Sequence, residues 1–174
     1  MNDKKILIAY FSREGMNYVN GSIIPLKVGN TEVCAKAIAS VTGGDLFKIV
    51  PVQLYPVGYE ECTDVAQKEL RAGSRPGVAG AVADMDSYDN IFIGYPNWWG
   101  TMPMPVFTFL ESYDFSGKRI APFCTHEGSG LGRSARDIAA ACPGSKVLKG
   151  LAIQGGAVGR AEADIRRWIG DLAI

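Results

Sequence analysis

The stretch Lys4-Lys5-Ile6-Leu7-Ile8-Ala9-Tyr10-Phe11-Ser12-Arg13-Glu14-Gly15, with Gly29-Asn30-Thr31-Glu32 beyond a long loop, decides the fold class. Ile6 to Phe11 is apolar at every position and lacks the alternation of a half-exposed strand. Such a run suits a central parallel strand covered by helices on both faces. Ser12-Arg13-Glu14-Gly15 breaks the run, and a helix is expected from Gly29-Asn30-Thr31-Glu32 onward. Asn30 or Thr31 can cap it, while Val33, Cys34, Ala37, Ile38 and Val41 form its buried stripe. A strand feeding a hydroxyl-bearing loop and a helix N-terminus is a candidate anion site, because free N–H groups and the helix dipole point there. An ordinary βα connection with an ordinary cap is the other reading.

Outward from this unit, the chain of 174 residues suffices for one domain with a full core, 1–174, and hardly for two. Eighteen basic and eighteen acidic residues cancel, which argues against a nucleic-acid surface or a polybasic membrane contact. No apolar run approaches the length of a bilayer span, so membrane insertion is not expected. Met1-Asn2-Asp3 leads almost directly into the first strand, without a signal peptide, and a cytoplasmic protein is expected. Cys34, Cys62, Cys124 and Cys142 stand singly, without C-x-x-C spacing, and there is one His. They read as reduced core thiols, with no metal site.

The loop Ser12–Gly29 is long for a βα connection and carries Gly15, Gly21, Pro25 and Gly29 around Ile23-Ile24. It reads as unstructured padding or as a flap, and its closeness to the candidate anion site favours the flap. Gly43-Gly44 ends the first helix, Asp45–Val50 is a second strand, and Tyr59–Arg71 is an amphipathic helix. Gly73–Gly80 is a connector without period. Asn90–Tyr95 is a third strand, apolar on both faces, and a helix from about Met104 to Glu111 follows with Pro103 and Pro105 in its first turn. Arg119–Cys124 is the fourth strand, followed by a helix carrying Leu131, Ala135, Ile138, Ala139 and Cys142. Lys146–Ile153 is a fifth strand interrupted by Gly150, and Ala161, Ile165, Trp168, Ile169 and Leu172 line the last helix. Five alternations of strand and helix define a doubly wound α/β sheet with helices on both faces.

In such a sheet ligands sit beyond the carboxyl ends of the strands, near the switch in strand order. The loops after the first, third and fourth strands are the unusual ones. They offer hydroxyls and a helix terminus, then Pro96-Asn97-Trp98-Trp99-Gly100, then Thr125-His126-Glu127-Gly128-Ser129-Gly130-Leu131-Gly132. A ligand matching all three has an anionic tail, a flat aromatic body and a polar edge. The alternative readings make the paired tryptophans core, the glycines a plain turn cluster, and His126 a bystander. Neither a phosphate-binding G-x-x-x-x-G-K-[ST] nor a dinucleotide G-x-G-x-x-G motif is present, and one His leaves little room for a hydrolytic triad.

Together these loops resemble the flavodoxin family. Tyr10-Phe11-Ser12 with Gly29-Asn30-Thr31-Glu32 looks like its phosphate loop split by an insertion, Gly94–Gly100 like its second flavin loop, and Phe115–Lys118 with Thr125–Gly132 like its third. The resemblance implies five parallel strands in order 2-1-3-4-5 with FMN as cofactor across the first, third and fourth. It implies phosphate contacts from Ser12, Asn30, Thr31 and nearby backbone amides, Arg13 as a further cofactor-binding residue, and a ring covered by Trp98 or Trp99 within Pro96–Gly100. The Asn97–Gly100 backbone would respond to protonation at N5, and Thr125, His126, Gly128, Ser129 and Gly130 would bond the pyrimidine edge. The chain departs in two ways: Ser12 and Thr31 are separated by the whole insertion, and the net charge is zero where family carriers are acidic. An ungapped phosphate loop through Glu14, Gly15 and Asn17 is rejected, since it would set a carboxylate against a phosphate. The implied function is electron transfer to a redox partner protein or a small-molecule acceptor. An FMN-dependent NAD(P)H:quinone-type oxidoreductase and a flavin-free interaction module are the alternatives.

Overall fold

A computed structural model describes residues 5–174, and within them the fully apolar runs become the inner strands of one parallel sheet. Lys4 and Met1-Asn2-Asp3, read above as the approach to the first strand, lie outside the described residues. β1 (Lys5–Tyr10) is followed by β2 (Gly15–Val19), β3 (Ser22–Leu26) and helix α1 (Asn30–Thr42). β4 (Asp45–Lys48) and β5 (Val50–Pro51) precede α2 (Tyr59–Ala72), β6 (Val78–Ala79) and the long β7 (Tyr88–Pro96). Then come α3 (Met104–Glu111), β8 (Arg119–His126), α4 (Ser134–Ala141), β9 (Lys146–Val147), β10 (Leu151–Gln154) and α5 (Glu162–Leu172). The sheet runs β4-β1-β7-β8-β10 with every pairing parallel, which is the expected order 2-1-3-4-5.

The absence of alternation in the inner strands has its cause in two buried faces. Leu7, Ala9 and Phe11 of the first strand and its exit join Ile91, Ile93 and Tyr95 on one face, where Val106, Phe109, Leu110 and Ile138 of α3 and α4 cover them. Ile8, Tyr10, Phe92 and Phe123 point to the other face, under Cys34, Ala35 and Ile38 of α1 and Ile165, Trp168 and Leu172 of α5. All four cysteines are free and buried. Burial pushes the thiols of Cys34, Cys124 and Cys142 up to about 12, so none is a thiolate near neutral pH.

Three local readings differ from the structure. The segment 12–29 is neither padding nor a loose flap: β2 and β3 pair antiparallel as a hairpin. Asn20 and Gly21 take φ of 51° and 87°, the left-handed pair that a two-residue hairpin turn with the sheet's twist requires. Asn30 and Thr31 do not cap α1; Gly29 stands at the N-cap, and the Glu32 N–H donates instead to Ser12 Oγ at 3.0 Å. The second strand stops at Lys48, and the chain after Ile49 pairs Val50-Pro51 with Val78-Ala79 from the supposed connector. Proline lacks the N–H that would continue the central ladder. The fifth strand is interrupted at Gly150 as expected, leaving two short pieces, β9 and β10, both parallel to β8.

Candidate functional site

The carboxyl ends of β1, β7 and β8 open into a cavity of about 480 Å³, a size typical of small-molecule sites. Arg13, Asn30, Thr31, Pro96, Asn97, Trp98, Trp99, Gly100, Thr125, His126 and Ser129 line it, so most sequence-derived candidates meet in one place. Ser12, Gly128 and Gly130 are not among the lining residues. Ser12 is buried behind the wall as the substitute cap of α1. The Gly130 carbonyl accepts the Asn97 side-chain amide at 2.7 Å, and the Gly128 N–H donates to His126 Nδ1 at 2.9 Å. These two glycines therefore shape the third loop from behind.

At one end of the cavity lies the N-terminus of α1. The Val33 N–H donates to the Gly29 carbonyl and the Glu32 N–H to Ser12, leaving the Asn30 and Thr31 amides without a protein acceptor among the described residues. Gly29 is needed because a Cβ there would lie 2.2 Å from Ser12 Oγ and 2.8 Å from the Arg13 nitrogen. Thr31 and Thr125 share a hydroxyl–hydroxyl hydrogen bond of 2.7 Å, which ties the first loop to the third. Glu32 itself faces away from a ligand anion. Its carboxyl bridges Lys36 at 2.7 Å and Lys48 at 2.9 Å, and these ammonium groups hold it below the usual carboxylate range. Glu14 also turns to Lys48, at 3.2 Å, so the carboxylate that ruled out an ungapped loop points elsewhere.

Arg13 does not present a free guanidinium. Its N–H groups donate to the carbonyls of Met16, Pro56, Val57 and Gly58, pinning the hairpin base to the loop that enters α2. Its positive charge stays at the cavity wall, and its hydrogen-bonding capacity is largely spent on the backbone.

The second loop is a tight turn. Trp98 and Thr101 exchange backbone hydrogen bonds of 2.9 and 3.2 Å, with Trp99 and Gly100 at φ of 55° and 85° between them. A left-handed Trp is strained, a condition that concentrates at binding sites. Asn97 clamps the turn, accepting the Gly100 N–H at 2.9 Å while its amide reaches Gly130. Gly132, at φ 55°, has room for no Cβ because the Gly100 carbonyl would lie 2.2 Å away. The two tryptophans differ in kind. Trp98 meets Phe11 and Tyr55 edge to face at 5.2 and 4.9 Å, so it belongs partly to the core. Trp99 is 48% exposed, with its indole N–H on the Thr63 carbonyl at 3.2 Å.

Sequence reasoning missed a further set of wall residues: Asn17 and Tyr18 of the hairpin, Tyr59, Cys62, Thr63 and Ala66 of α2, Glu127, and Gly155. The Tyr18 and Tyr59 rings lie 6.2 Å apart at 30°. The Asn20-Gly21 turn was a usable signal for the hairpin. Nothing local announces that one face of α2 closes the cavity. Among the described residues no group of His, Cys, Asp and Glu is placed to hold a metal, and no helix is long and apolar enough to cross a membrane.

Fold and site define a doubly wound α/β protein that binds an elongated ligand, anionic at one end and aromatic at the other, at the switch in strand order. The Flavodoxin family model matches residues 5–172, and the chain belongs to that family. Among solved structures, a candidate flavoprotein from Bacteroides eggerthii DSM 20697 is 29% identical, with a TM-score of 0.80 and 99% of each chain covered. Another from Bacteroides uniformis ATCC 8492 is 27% identical, TM-score 0.75, covering 96% of this chain and 98% of the other. A flavoprotein from Lactobacillus acidophilus NCFM, solved in complex with FMN, shares the fold at 22% identity and TM-score 0.66, covering 95% and 99%. No curated protein matches the chain.

The residues present fit FMN. Free amides at the α1 terminus suit the phosphate, the indoles suit the ring, and the buried Glu127 Oε1 in the cavity wall lacks a partner among the described residues.

Proposed function

We propose that this protein binds FMN and passes electrons through it as a carrier to a redox partner protein. The observation that carries the reading is the single cavity wall joining the unsatisfied amides of α1 to the Trp98–Gly100 turn. When bound, the flavin supplies the electron chemistry; the protein orients it and controls access. Asn30 and Thr31 hold the phosphate, with the Ser12 hydroxyl behind them. Trp99 offers its face to the ring while Trp98 forms the adjoining wall. Backbone from Thr125 to Ser129 meets the polar edge, and His126, which accepts the Gly128 N–H at Nδ1, lines the same cavity. Support for protein docking comes from three apolar residues between β5 and α2, Val52, Leu54 and Val57, each more than 70% exposed, in a segment whose Val57 carbonyl accepts Arg13 of the cavity wall.

The two tryptophans separate in a direct test. Trp99→Ala weakens FMN binding by roughly threefold to tenfold, the worth of a stacking contact, and restores flavin fluorescence while leaving stability nearly unchanged. Trp98→Ala lowers stability by about 2 kcal/mol, because its ring also packs on Phe11 and Tyr55. Titration and urea unfolding check both. Wild-type FMN affinity in Trp99→Ala places the ring elsewhere.

A second reading, an FMN-dependent NAD(P)H:quinone-type oxidoreductase, is favoured by the Tyr18–Tyr59 pair, which offers a second planar face at the cavity. Electron transfer from a flavodoxin reductase across a salt series, beside direct oxidation of NADH and NADPH with a quinone, decides between them. With zero net charge, carrier docking depends only weakly on ionic strength. Fast nicotinamide turnover without a partner protein selects the oxidoreductase.

A further inference from the structure

We propose that Glu127 recognises a hydroxyl of the flavin's ribityl chain and couples its presence to closure of the β2–β3 hairpin; the proposal rests on the FMN reading above. The two carboxylate oxygens have different surroundings. Oε2 accepts the backbone N–H of Asn20, in the hairpin turn, at 2.9 Å. Oε1 is shielded from solvent and has no hydrogen-bond partner among the described residues. Among the described residues no Lys, Arg or His forms an ion pair with Glu127.

The surrounding backbone is shaped around this carboxylate. A Cβ on Gly155 would lie 2.1 Å from Glu127 Oε1 and 2.6 Å from the Asn30 side-chain amide nitrogen. A Cβ on Gly156 would lie 2.2 Å from the Asn20 side chain. Two consecutive glycines thus seat, one beside the other, the carboxylate and the tip of the hairpin. Glu127, Asn30 and Gly155 all line the cavity, and the hairpin adds Asn17 and Tyr18 to the same wall.

Chemistry limits what the unpartnered oxygen can meet. An ionised carboxylate only accepts, so its partner is a donor, and leaving a buried acceptor empty is unfavourable. A phosphate is excluded by like charge. The neutral donors of FMN are its ribityl hydroxyls and the ring N–H. Glu127 shares its corner with Asn30, at the phosphate end of the cavity, which leaves the chain that joins phosphate to ring. A ligand hydroxyl on Oε1 holds the carboxylate in the orientation whose other oxygen keeps the hairpin turn in place.

The test titrates ligand-free wild type, Glu127→Gln and Glu127→Leu with FMN, riboflavin and lumiflavin, the last having the ring without the ribityl chain. Glu127→Leu weakens FMN and riboflavin by the same factor, roughly tenfold or more, Glu127→Gln by less, and neither changes lumiflavin. Hydrogen exchange of the Met16–Val19 amides slows on adding riboflavin to wild type and not to Glu127→Leu. Affinities for all three ligands that stay unchanged in Glu127→Leu overturn the proposal. Tighter FMN binding with riboflavin unaffected shows a phosphate repeller instead, and equal loss for lumiflavin shows damage to the ring site. Hairpin exchange indifferent to ligand overturns the coupling. A wild type that binds no flavin removes the FMN reading itself.

Discussion

Riboflavin binds this protein at least a hundredfold more weakly than FMN. The two ligands differ only in a phosphate, and the place for that dianion is the first turn of α1. There the Asn30 and Thr31 amides lack acceptors among the described residues, while the buried Ser12 hydroxyl behind them accepts the Glu32 N–H. A hydrogen bond to a charged group contributes about 1.5–3 kcal/mol, so losing two of them removes roughly 3 kcal/mol or more. The helix dipole adds to this and no carboxylate in the first turn opposes it, because Glu32 is engaged by Lys36 and Lys48. Fluorescence titration of the ligand-free protein measures the ratio. Equal affinities would remove the phosphate from α1.

Gly94→Ala destabilises the fold by about 3 kcal/mol, near the upper end for overpacking in a core. Gly94 lies on β7 directly beside Phe123 of β8, and an added Cβ would sit 2.1, 2.4 and 2.8 Å from three ring carbons. Carbon atoms rest at about 3.5–4.0 Å, so the ring has to move by more than an ångström. It has nowhere to go. Phe123 is 0% exposed, in a cluster with Ile8, Tyr10, Phe92 and Ile153. For a chain of this size the thermal midpoint falls by about 6–12 °C. Adding Phe123→Leu recovers part of the loss, since neighbours in contact are not additive. Thermal unfolding of the ligand-free single and double variants checks this, and a single variant within about 0.5 kcal/mol of wild type shows a mobile ring.

What the sequence determined by itself was the layered sheet and the three loops at its working end. Ile6–Phe11 and Ile91–Tyr95 could not alternate, since each faces a helical layer on both sides, and that property is readable without coordinates. Helix α3 was legible to its end residues because its prolines stand at the start and its apolar positions follow the helical period. The single, unpaired cysteines likewise announced core thiols. The hairpin was locally encoded too, in Asn20-Gly21, and its missing long alternation hid it.

Tertiary structure alone decided which groups face the ligand. Ser12 caps a helix that begins 18 residues later, at Asn30, a role that no local cap rule assigns. Arg13 gives its guanidinium to backbone carbonyls more than 40 residues away, where the resemblance implied a cofactor contact. Tyr59 and Cys62 reach the cavity because α2 packs there, and Asn20 meets Glu127 across 107 residues. Periodicity and turn chemistry depend on a few neighbouring residues, and so they are written in the chain. Hydrogen bonds between distant segments depend on where several elements stop against one another, and only the packed sheet settles that.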